Sequence, residues 1–204
     1  MLLLVALPGT ASAHHQGAPS PAAVVARAGL VRRADLGRGW TQTNAAPHSA
    51  AALTCTTDRA VRASLASPTW SSSDTTEFVS GTSYGFAGPA QQQAAWRATG
   101  TGAMGRCLKR QFAEGSSHGV RLVATGIRRI SAPRSRALAR SATLRAYQLS
   151  GTASGAGQDI SVTLDVVLVG HGTWIGEDEF SAAGSAVSAA LQARVAELQA
   201  RRAG

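Results

Sequence analysis

The sequence feature that most constrains the fold is an alternation of apolar and polar residues with a period of two. Between Gln158 and Gly170, every second position is apolar: Ile160, Val162, Leu164, Val166 and Leu168. A second alternating stretch places Phe78, Tyr84 and Phe86 on one side and ends before Gly88-Pro89. Successive side chains of a strand point to opposite faces of a sheet, so this period predicts strands.

Short connections between the predicted strands determine how they pair. A strand from Val120 to Ile130 and another from Thr143 to Thr152 are predicted to form a hairpin around Pro133. Gly170-His171-Gly172 predicts a tight turn between the following two strands. Parallel neighbours need long crossover connections, so strands joined this closely are expected to be antiparallel.

Three helices are predicted beside these strands. Ser20-Pro21 is typical of a helix start and predicts a short N-terminal helix. One long helix is predicted from Pro89 to Gly115, and another after Val187 that ends in arginines. The acidic run Glu177–Glu179 is interpreted as structural charge ahead of that last helix. The predicted fold class is α+β: a single twisted antiparallel sheet flanked by two long helices, with a short N-terminal helix.

The first residues predict an export signal. Residues 1–13 combine a short apolar run with Ala11-Ser12-Ala13, so cleavage is expected between Ala13 and His14. The run is too short to span a bilayer, and no later segment is apolar enough to do so. We expect a flexible leader at residues 14–20, a single α+β domain at 21–204 and a secreted, extracytoplasmic protein.

The two cysteines, Cys55 and Cys107, are predicted to form a disulfide, because the chain is expected in an oxidising compartment. No histidine lies at ligand spacing from either cysteine, which disfavours a metal site. The same lack of a nearby partner disfavours a catalytic cysteine. The sequence predicts neither a metal nor a cofactor.

Gly81-Thr82-Ser83-Tyr84-Gly85 matches the G-x-S-x-G pattern of the nucleophile elbow in α/β-hydrolases. Asp165 and His171 follow Ser83 in the chain order of such enzymes, so a small secreted serine hydrolase is one alternative. An elbow serine occupies a sharp turn between a strand and a helix, whereas Ser83 lies inside an alternating stretch. We therefore interpret Ser83 as a structural residue and expect no catalysis.

Positive charge is concentrated in one part of the chain. The sequence has 20 basic and 11 acidic residues, and none of the acidic ones lies between Gly115 and Gln158. The candidate anion-binding residues of this segment are Arg121, Arg128, Arg129, Arg134, Arg136, Arg140 and Arg145. They favour a small ligand or an anionic cell-envelope component as partner. Nucleic acid is disfavoured because stacking aromatic residues are few. A solvated hairpin that discourages edge pairing is the alternative.

The segment Ala34-Asp35-Leu36-Gly37-Arg38-Gly39-Trp40, where two glycines close a turn ahead of a tryptophan, resembles the start of the PknH-like extracellular sensor domains. These occur on actinobacterial kinases and in stand-alone secreted proteins. The resemblance continues through Cys55, the helix "PAQQQAAWRATGTGAMGRCLKR" with Cys107, the strand "QDISVTLDVVLVGHG" and an arginine-ended last helix. It implies an antiparallel sheet flanked by helices, with a cleft for an unidentified ligand and no catalysis. Such sensors often have two disulfides, whereas this chain can form one.

The leading prediction is a secreted, non-enzymatic ligand- or partner-binding domain of the extracellular sensor type. It depends on the order of the predicted elements and on the lack of a catalytic constellation. Two alternatives stay open. One is the serine hydrolase with Ser83, Asp165 and His171, and the other is an envelope protein that binds an anionic polymer through the arginine-rich hairpin.

Overall fold

One antiparallel sheet forms the centre of the fold in this computed structural model, which describes residues 18–43, 55, 60–114, 121–133, 135–155 and 157–204. Within these ranges the sheet has eight strands. The strands are β1 (Trp40–Thr43), β2 (Val61–Ala66), β3 (Thr69–Ser72), β4 (Glu77–Phe86), β5 (Arg121–Ile130), β6 (Thr143–Gly155), β7 (Gln158–His171) and β8 (Trp174–Ala183). Their order in the sheet is β1-β3-β4-β8-β7-β6-β5, and β2 also pairs with β4.

Several predictions at the N terminus fall outside the described residues. These are the signal segment 1–13, the cleavage point between Ala13 and His14, and most of the leader 14–20. Arg134 of the predicted anion-binding set lies outside them as well. Of the described helices, none is both long and apolar enough to cross a membrane.

Helices lie on both faces of the sheet. They are α1 (Pro21–Ala28), α2 (Arg33–Leu36), α3 (Pro89–Ala98), α4 (Gly102–Glu114), α5 (Leu138–Ser141) and α6 (Ala189–Ala203). α1, α2, α5 and α6 contribute to a core on one face, and α3 and α4 to two smaller clusters on the other. β7 shows the division: Val167 faces the α6 side, and Val166 and Leu168 face the α4 side. Both faces of β7 are buried from Leu164 to Gly170, whereas its first residues are exposed.

The predicted α+β class and the single antiparallel sheet are confirmed. The predicted hairpin is also present, because β5 pairs antiparallel with β6. The short N-terminal helix is α1, where the Ser20 hydroxyl accepts a hydrogen bond from the Ala23 N–H at 3.3 Å. The turn closed by two glycines is confirmed too: Gly37 and Gly39 have φ of 89° and 83°, a region that favours glycine.

The prediction of two long helices is wrong. The helices are short, and the longest, α6, has 15 residues. The helix predicted from Pro89 to Gly115 is divided at residues 99–101 into α3 and α4. At the break, the guanidinium of Arg145 donates hydrogen bonds to the Trp96 carbonyl and to the Thr99 hydroxyl. A Cβ at Gly100 would lie 2.9 Å from the guanidinium carbon, so glycine leaves the space that this arginine occupies.

Candidate functional site

A groove of about 570 Å³ lies between α4 and β5. Four cationic side chains line it: Arg106, Lys109, Arg110 and Arg121. The other lining residues are Ala113 on α4 and Leu122, Val123 and Ala124 on β5. The side chains of Leu122 and Ala124 pack against the cluster beneath α4, whereas that of Val123 points to the other face of the strand. The described lining contains no acidic residue, although Arg110 also forms an exposed ion pair with Glu114 at 3.8 Å, one turn further along α4. The lining therefore has a net positive charge beside apolar residues.

The helical period explains how α4 presents its cations to the groove. Arg106, Lys109, Arg110 and Ala113 follow the i, i+3, i+4, i+7 spacing of a single helix flank. Met104, Leu108 and Phe112 form another flank and are 1%, 1% and 6% exposed. Burial of that apolar flank fixes the rotation of α4 about its axis, and the basic flank is left at the solvent-facing border with β5.

Two close approaches show how α4 lies along the sheet. A Cβ at Gly105 would be 3.9 Å from Cδ1 of Ile127. A Cβ at Gly151 would lie 2.6 Å from the Phe112 ring and 2.7 Å from the Val123 carbonyl oxygen. The N-terminal part of α4 is therefore near Ile127 and its C-terminal part near Val123. α4 runs antiparallel to β5, and the two border the groove along its length.

The predicted disulfide joins α4 to a distant point of the chain. Cys55 and Cys107 are bonded, with a Cα–Cα distance of 5.7 Å. Cys107 is adjacent in sequence to Arg106, and Nη2 of Arg110 lies 3.8 Å from the Cys107 sulfur. The crosslink therefore holds the helix that carries most of the groove's charge.

The structure brings Arg121 of the predicted anion-binding set into this groove and distributes the others elsewhere. Arg128 is exposed and donates two hydrogen bonds to Oε1 of Gln148, at 3.0 and 2.6 Å. Arg129, Arg136 and Arg140 are exposed outside the groove lining.

Arg145 is engaged inside the protein. Its guanidinium lies 4.6 Å from the centre of the Trp96 ring and holds the end of α3, as described above. Partial burial lowers the pKa of Arg145, and the interaction with Tyr147 acts in the opposite direction. A guanidinium used in this way is a structural contact, so we leave Arg145 out of the candidate site.

Sequence reasoning missed Arg106, Lys109 and Arg110. Their helical spacing, beside the apolar series Met104, Leu108 and Phe112, was a signal that could have identified them. Their meeting with Arg121 depends on the antiparallel placement of α4 along β5, which spacing alone does not show.

The candidate hydrolase residues are not assembled into a triad. Ser83 lies within β4, is 1% exposed and accepts a hydrogen bond from the Trp174 indole N–H at 2.6 Å. Asp165 accepts hydrogen bonds from the side-chain amides of Gln148 and Gln192, at 2.9 and 2.7 Å. His171 ends the same strand as Asp165, six positions on, which is about 20 Å at the rise of a strand.

The three acidic residues of the run Glu177–Glu179 are buried within the sheet. The run Glu177–Glu179 was predicted to precede the last helix, but it lies within β8. Glu177 accepts a hydrogen bond from the Tyr84 hydroxyl at 3.0 Å, and Glu179 from the Ser80 hydroxyl at 3.4 Å. Burial raises the pKa of the Tyr84 hydroxyl well above its usual value, and the negative charge of Glu177 acts in the same direction. The placement ahead of the helix is therefore wrong.

No group of three or more histidine, cysteine, aspartate or glutamate side chains that could hold a metal ion occurs within the described ranges. The chain matches no protein-family profile, and no curated protein and no solved structure is detectably similar to it. The resemblance to PknH-like sensor domains therefore stays a prediction.

Proposed function

We propose that the chain is an extracytoplasmic binding domain, without catalysis of its own, that holds an anionic ligand or partner in the groove between α4 and β5. One observation carries the proposal: four cations and no described acidic residue line a groove of about 570 Å³. Like charges gathered at one concave surface attract an anion and raise its local concentration. The proposal assigns the predicted sensor-type binding role to the groove between α4 and β5.

The disulfide supports the extracytoplasmic part of the proposal. Disulfides persist in oxidising compartments and are rare where thiols are kept reduced. Cys55 and Cys107 are bonded to each other, and no free cysteine occurs among the described residues. The apolar segment with an A-x-A site at residues 1–13 points in the same direction.

The geometry of Ser83 supports the non-catalytic part. A nucleophile needs a base within hydrogen-bond reach and access to substrate. The described partner of the Ser83 hydroxyl is the Trp174 indole N–H, which is a donor and cannot act as a base. Ser83 is also 1% exposed, so a substrate cannot reach it without rearrangement of β4 and its neighbours.

The test is binding of two anionic polymers, inorganic polyphosphate and poly-L-glutamate, measured by calorimetry at low and high salt. Replacing the exposed Arg106 and Arg110 together by glutamine should weaken binding about tenfold, since exposed charge contacts contribute up to about 1 kcal/mol each. High salt should weaken binding of the original chain through screening.

The matched control is the double variant Arg136→Gln with Arg140→Gln, which removes the same charge from exposed sites near α5. It should retain most of the affinity. Equal losses in both double variants would contradict the groove as the site, because binding would then follow net charge. Absence of binding to either polymer and to acidic peptides would contradict the proposed function.

A further inference from the structure

A basic surface lies on the face of the sheet opposite the groove, where α1, α2 and α6 pack together. Within residues 21–38 and 189–203, five exposed arginines form this basic helical surface: Arg27, Arg32, Arg33, Arg38 and Arg194. The same segments contain two acidic residues, and both are engaged. Asp35 is buried and paired with Arg202, and Glu197 pairs with Arg201 and accepts a hydrogen bond from Ser135 at 2.6 Å. The exposed charge of this surface is therefore positive.

Contacts between α2 and α6 bring part of this charge together. Nη2 of Arg194 donates a hydrogen bond to the Ala34 carbonyl at 3.3 Å. A Cβ at Gly37 would lie 3.4 Å from Nη1 of the same arginine. Arg33 precedes Ala34 in the sequence, and Arg38 follows Gly37. Three of the five arginines therefore surround one short stretch of chain.

The basic helical surface ends on the side of the turn between β3 and β4. A Cβ at Gly39 would lie 3.8 Å from the Ser73 hydroxyl. The next residue, Asp74, is exposed and accepts a hydrogen bond from the Ser72 hydroxyl at 2.5 Å. Its negative charge marks the limit of the basic surface beyond Arg38.

Helical position directs this surface away from the sheet. On α6, Arg194 and Arg201 are seven residues apart and lie opposite the flank that is buried on the sheet. On α1, Val24 and Arg27 lie opposite the buried alanines of that helix. Val24 is 52% exposed. An apolar side chain therefore projects into solvent beside the guanidinium groups.

Phospholipid headgroups match this combination of charge and apolar surface. Guanidinium groups bind phosphate oxygens through paired hydrogen bonds. Clusters of about four to eight basic residues bind anionic lipid, and an apolar side chain that enters the headgroup region adds to the affinity. Nucleic acid fits less well, because the exposed large apolar side chains of the described ranges cannot stack on bases: they are Val24, Val123 and Ile160.

We propose that the basic helical surface is a membrane-binding face for anionic phospholipid. Its five arginines contact lipid phosphates, and the side chain of Val24 enters the headgroup region. The proposal goes beyond the function assigned to the groove, because α4 and the groove lie on the opposite side of the sheet. A chain bound in this way would direct the groove away from the bilayer.

The experiment measures flotation of the full chain with vesicles of phosphatidylcholine and phosphatidylglycerol in equal amounts, and with vesicles of phosphatidylcholine alone. The chain should bind the mixed vesicles and not the neutral ones, and high salt should release it through screening. Amide hydrogen exchange provides the second measurement. Mixed vesicles should slow exchange at residues 21–38 and leave it unchanged at residues 102–114.

Two double variants test the arginines. Arg33→Gln with Arg38→Gln should weaken binding to the mixed vesicles about thirtyfold, the loss expected for two arginine contacts with an anionic bilayer. The matched control, Arg97→Gln with Arg129→Gln, removes the same charge from exposed sites on the α3 and α4 side of the sheet. It should bind the mixed vesicles with nearly the original affinity.

Two single variants test the apolar contact. Val24→Ser should weaken binding about fivefold, because less apolar surface would be withdrawn from water. Ile160→Ser is the control, since Ile160 is 48% exposed but lies outside the basic helical surface. It should not change the affinity.

Three outcomes would overturn the proposal. Equal losses in the two double variants would show that vesicles respond to net charge. Protection of residues 21–38 by polyphosphate or an oligonucleotide, with vesicle binding insensitive to Val24→Ser, would assign the surface to a soluble polyanion. Absence of binding to the mixed vesicles would exclude a membrane-binding face. None of these outcomes affects the groove, which is tested with soluble polymers and the Arg106→Gln, Arg110→Gln variant.

Discussion

At the scale of single residues, Asp178 and Gln199 form an unusual buried pair. Asp178 is 0% exposed, and its Oδ1 accepts a hydrogen bond from Nε2 of Gln199 at 2.8 Å. The other two polar atoms, Asp178 Oδ2 and Gln199 Oε1, have no hydrogen-bond partner within the part of the chain described. A proton on Oδ2 would turn the acid into a hydrogen-bond donor and would remove the cost of an ionised carboxylate in this buried position.

The surroundings of Asp178 favour that protonated form. Burial raises its pKa to about 7, and the negative charge of Asp35 acts in the same direction. The hydrogen bond from Gln199 and the charge of Arg202 oppose the rise. Val31 and Gly81 pack close by, since a Cβ at Gly81 would lie 2.7 Å from Asp178 Oδ1 and 2.9 Å from Val31.

The first prediction concerns pH. A carboxyl whose folded pKa is about 7 and whose ordinary value is 3.8 binds its proton more tightly in the folded state. The resulting stabilisation is complete below about pH 4 and is lost as the pH rises through about 7. Asp178→Asn should remove this loss of stability at high pH. It should raise the free energy of unfolding at pH 8 by a few kcal/mol at most, since one pKa unit is about 1.4 kcal/mol.

Urea unfolding of both proteins at pH 5 and pH 8 measures the effect. Asp178→Ala is the comparison: it leaves both polar atoms of the Gln199 amide unpaired and should destabilise the protein at either pH. If the free energy of unfolding fell by the same amount between pH 5 and pH 8 in Asp178→Asn and in the original protein, another group would be responsible for the pH dependence.

The same residues show what the sequence could predict at this scale. The alternation around Ser83 predicted correctly that it lies within a strand. The run Glu177–Glu179 was misplaced because its partners are far away in sequence: Tyr84 for Glu177 and Gln199 for Asp178. Buried acidic residues look like surface charge until the groups that satisfy them are known.

At the scale of elements, the end of α6 is fastened to the N-terminal region by one arginine. Arg202 donates to both carboxylate oxygens of Asp35, at 2.7 and 2.8 Å, and to the carbonyls of Ala28 and Leu30, each at 2.9 Å. Asp35 is 2% exposed. The contact therefore joins α6 to α2, to the last residue of α1 and to the segment that follows it.

The second prediction tests this contact. Arg202→Gln should lower the free energy of unfolding by about 3 kcal/mol, because it leaves a buried carboxylate without its ion-pair partner. Arg201→Gln is the matched control: its pair with Glu197 is exposed, so the loss should stay below about 0.5 kcal/mol. Denaturant unfolding measures both. Similar losses in the two variants would contradict a special role for Arg202.

Helices and strands were predicted correctly where their signal is local in the sequence, and less well where a distant residue decides the outcome. Strand periodicity and the Ser20-Pro21 helix start are local signals, and the corresponding elements are present. The division of the helix predicted from Pro89 was missed because its cause, Arg145, lies on β6. Glycines at positions 100 and 102 weaken a helix, but they do not show that a guanidinium occupies the gap.

At the scale of the whole molecule, the disulfide is a covalent constraint between distant parts of the chain. It joins residues separated by 52 positions, with Cys55 packed against the cluster beneath α4. Such a bond restricts the unfolded chain more than it alters the folded one. The expected oxidising compartment and the presence of two cysteines predicted the bond. Its position beside the groove could be seen only from the fold.

The third prediction follows from this constraint. Replacing both cysteines by serine should lower the free energy of unfolding by about 4 kcal/mol in the chain-entropy model. Thermal unfolding of the double variant and of the reduced original protein should give similar midpoints, both below that of the oxidised protein. An unchanged midpoint on reduction would contradict the bond.

The register shift in β5 has a further consequence for the behaviour of the molecule at high concentration. Amyloid-like stacking requires about six or seven consecutive residues that can pair in a regular ladder. The shift between Ala124 and Gly126 leaves a shorter uninterrupted stretch, and Arg121, Arg128 and Arg129 repel the same strand of a second molecule. This border of the sheet is therefore a poor template for fibril growth.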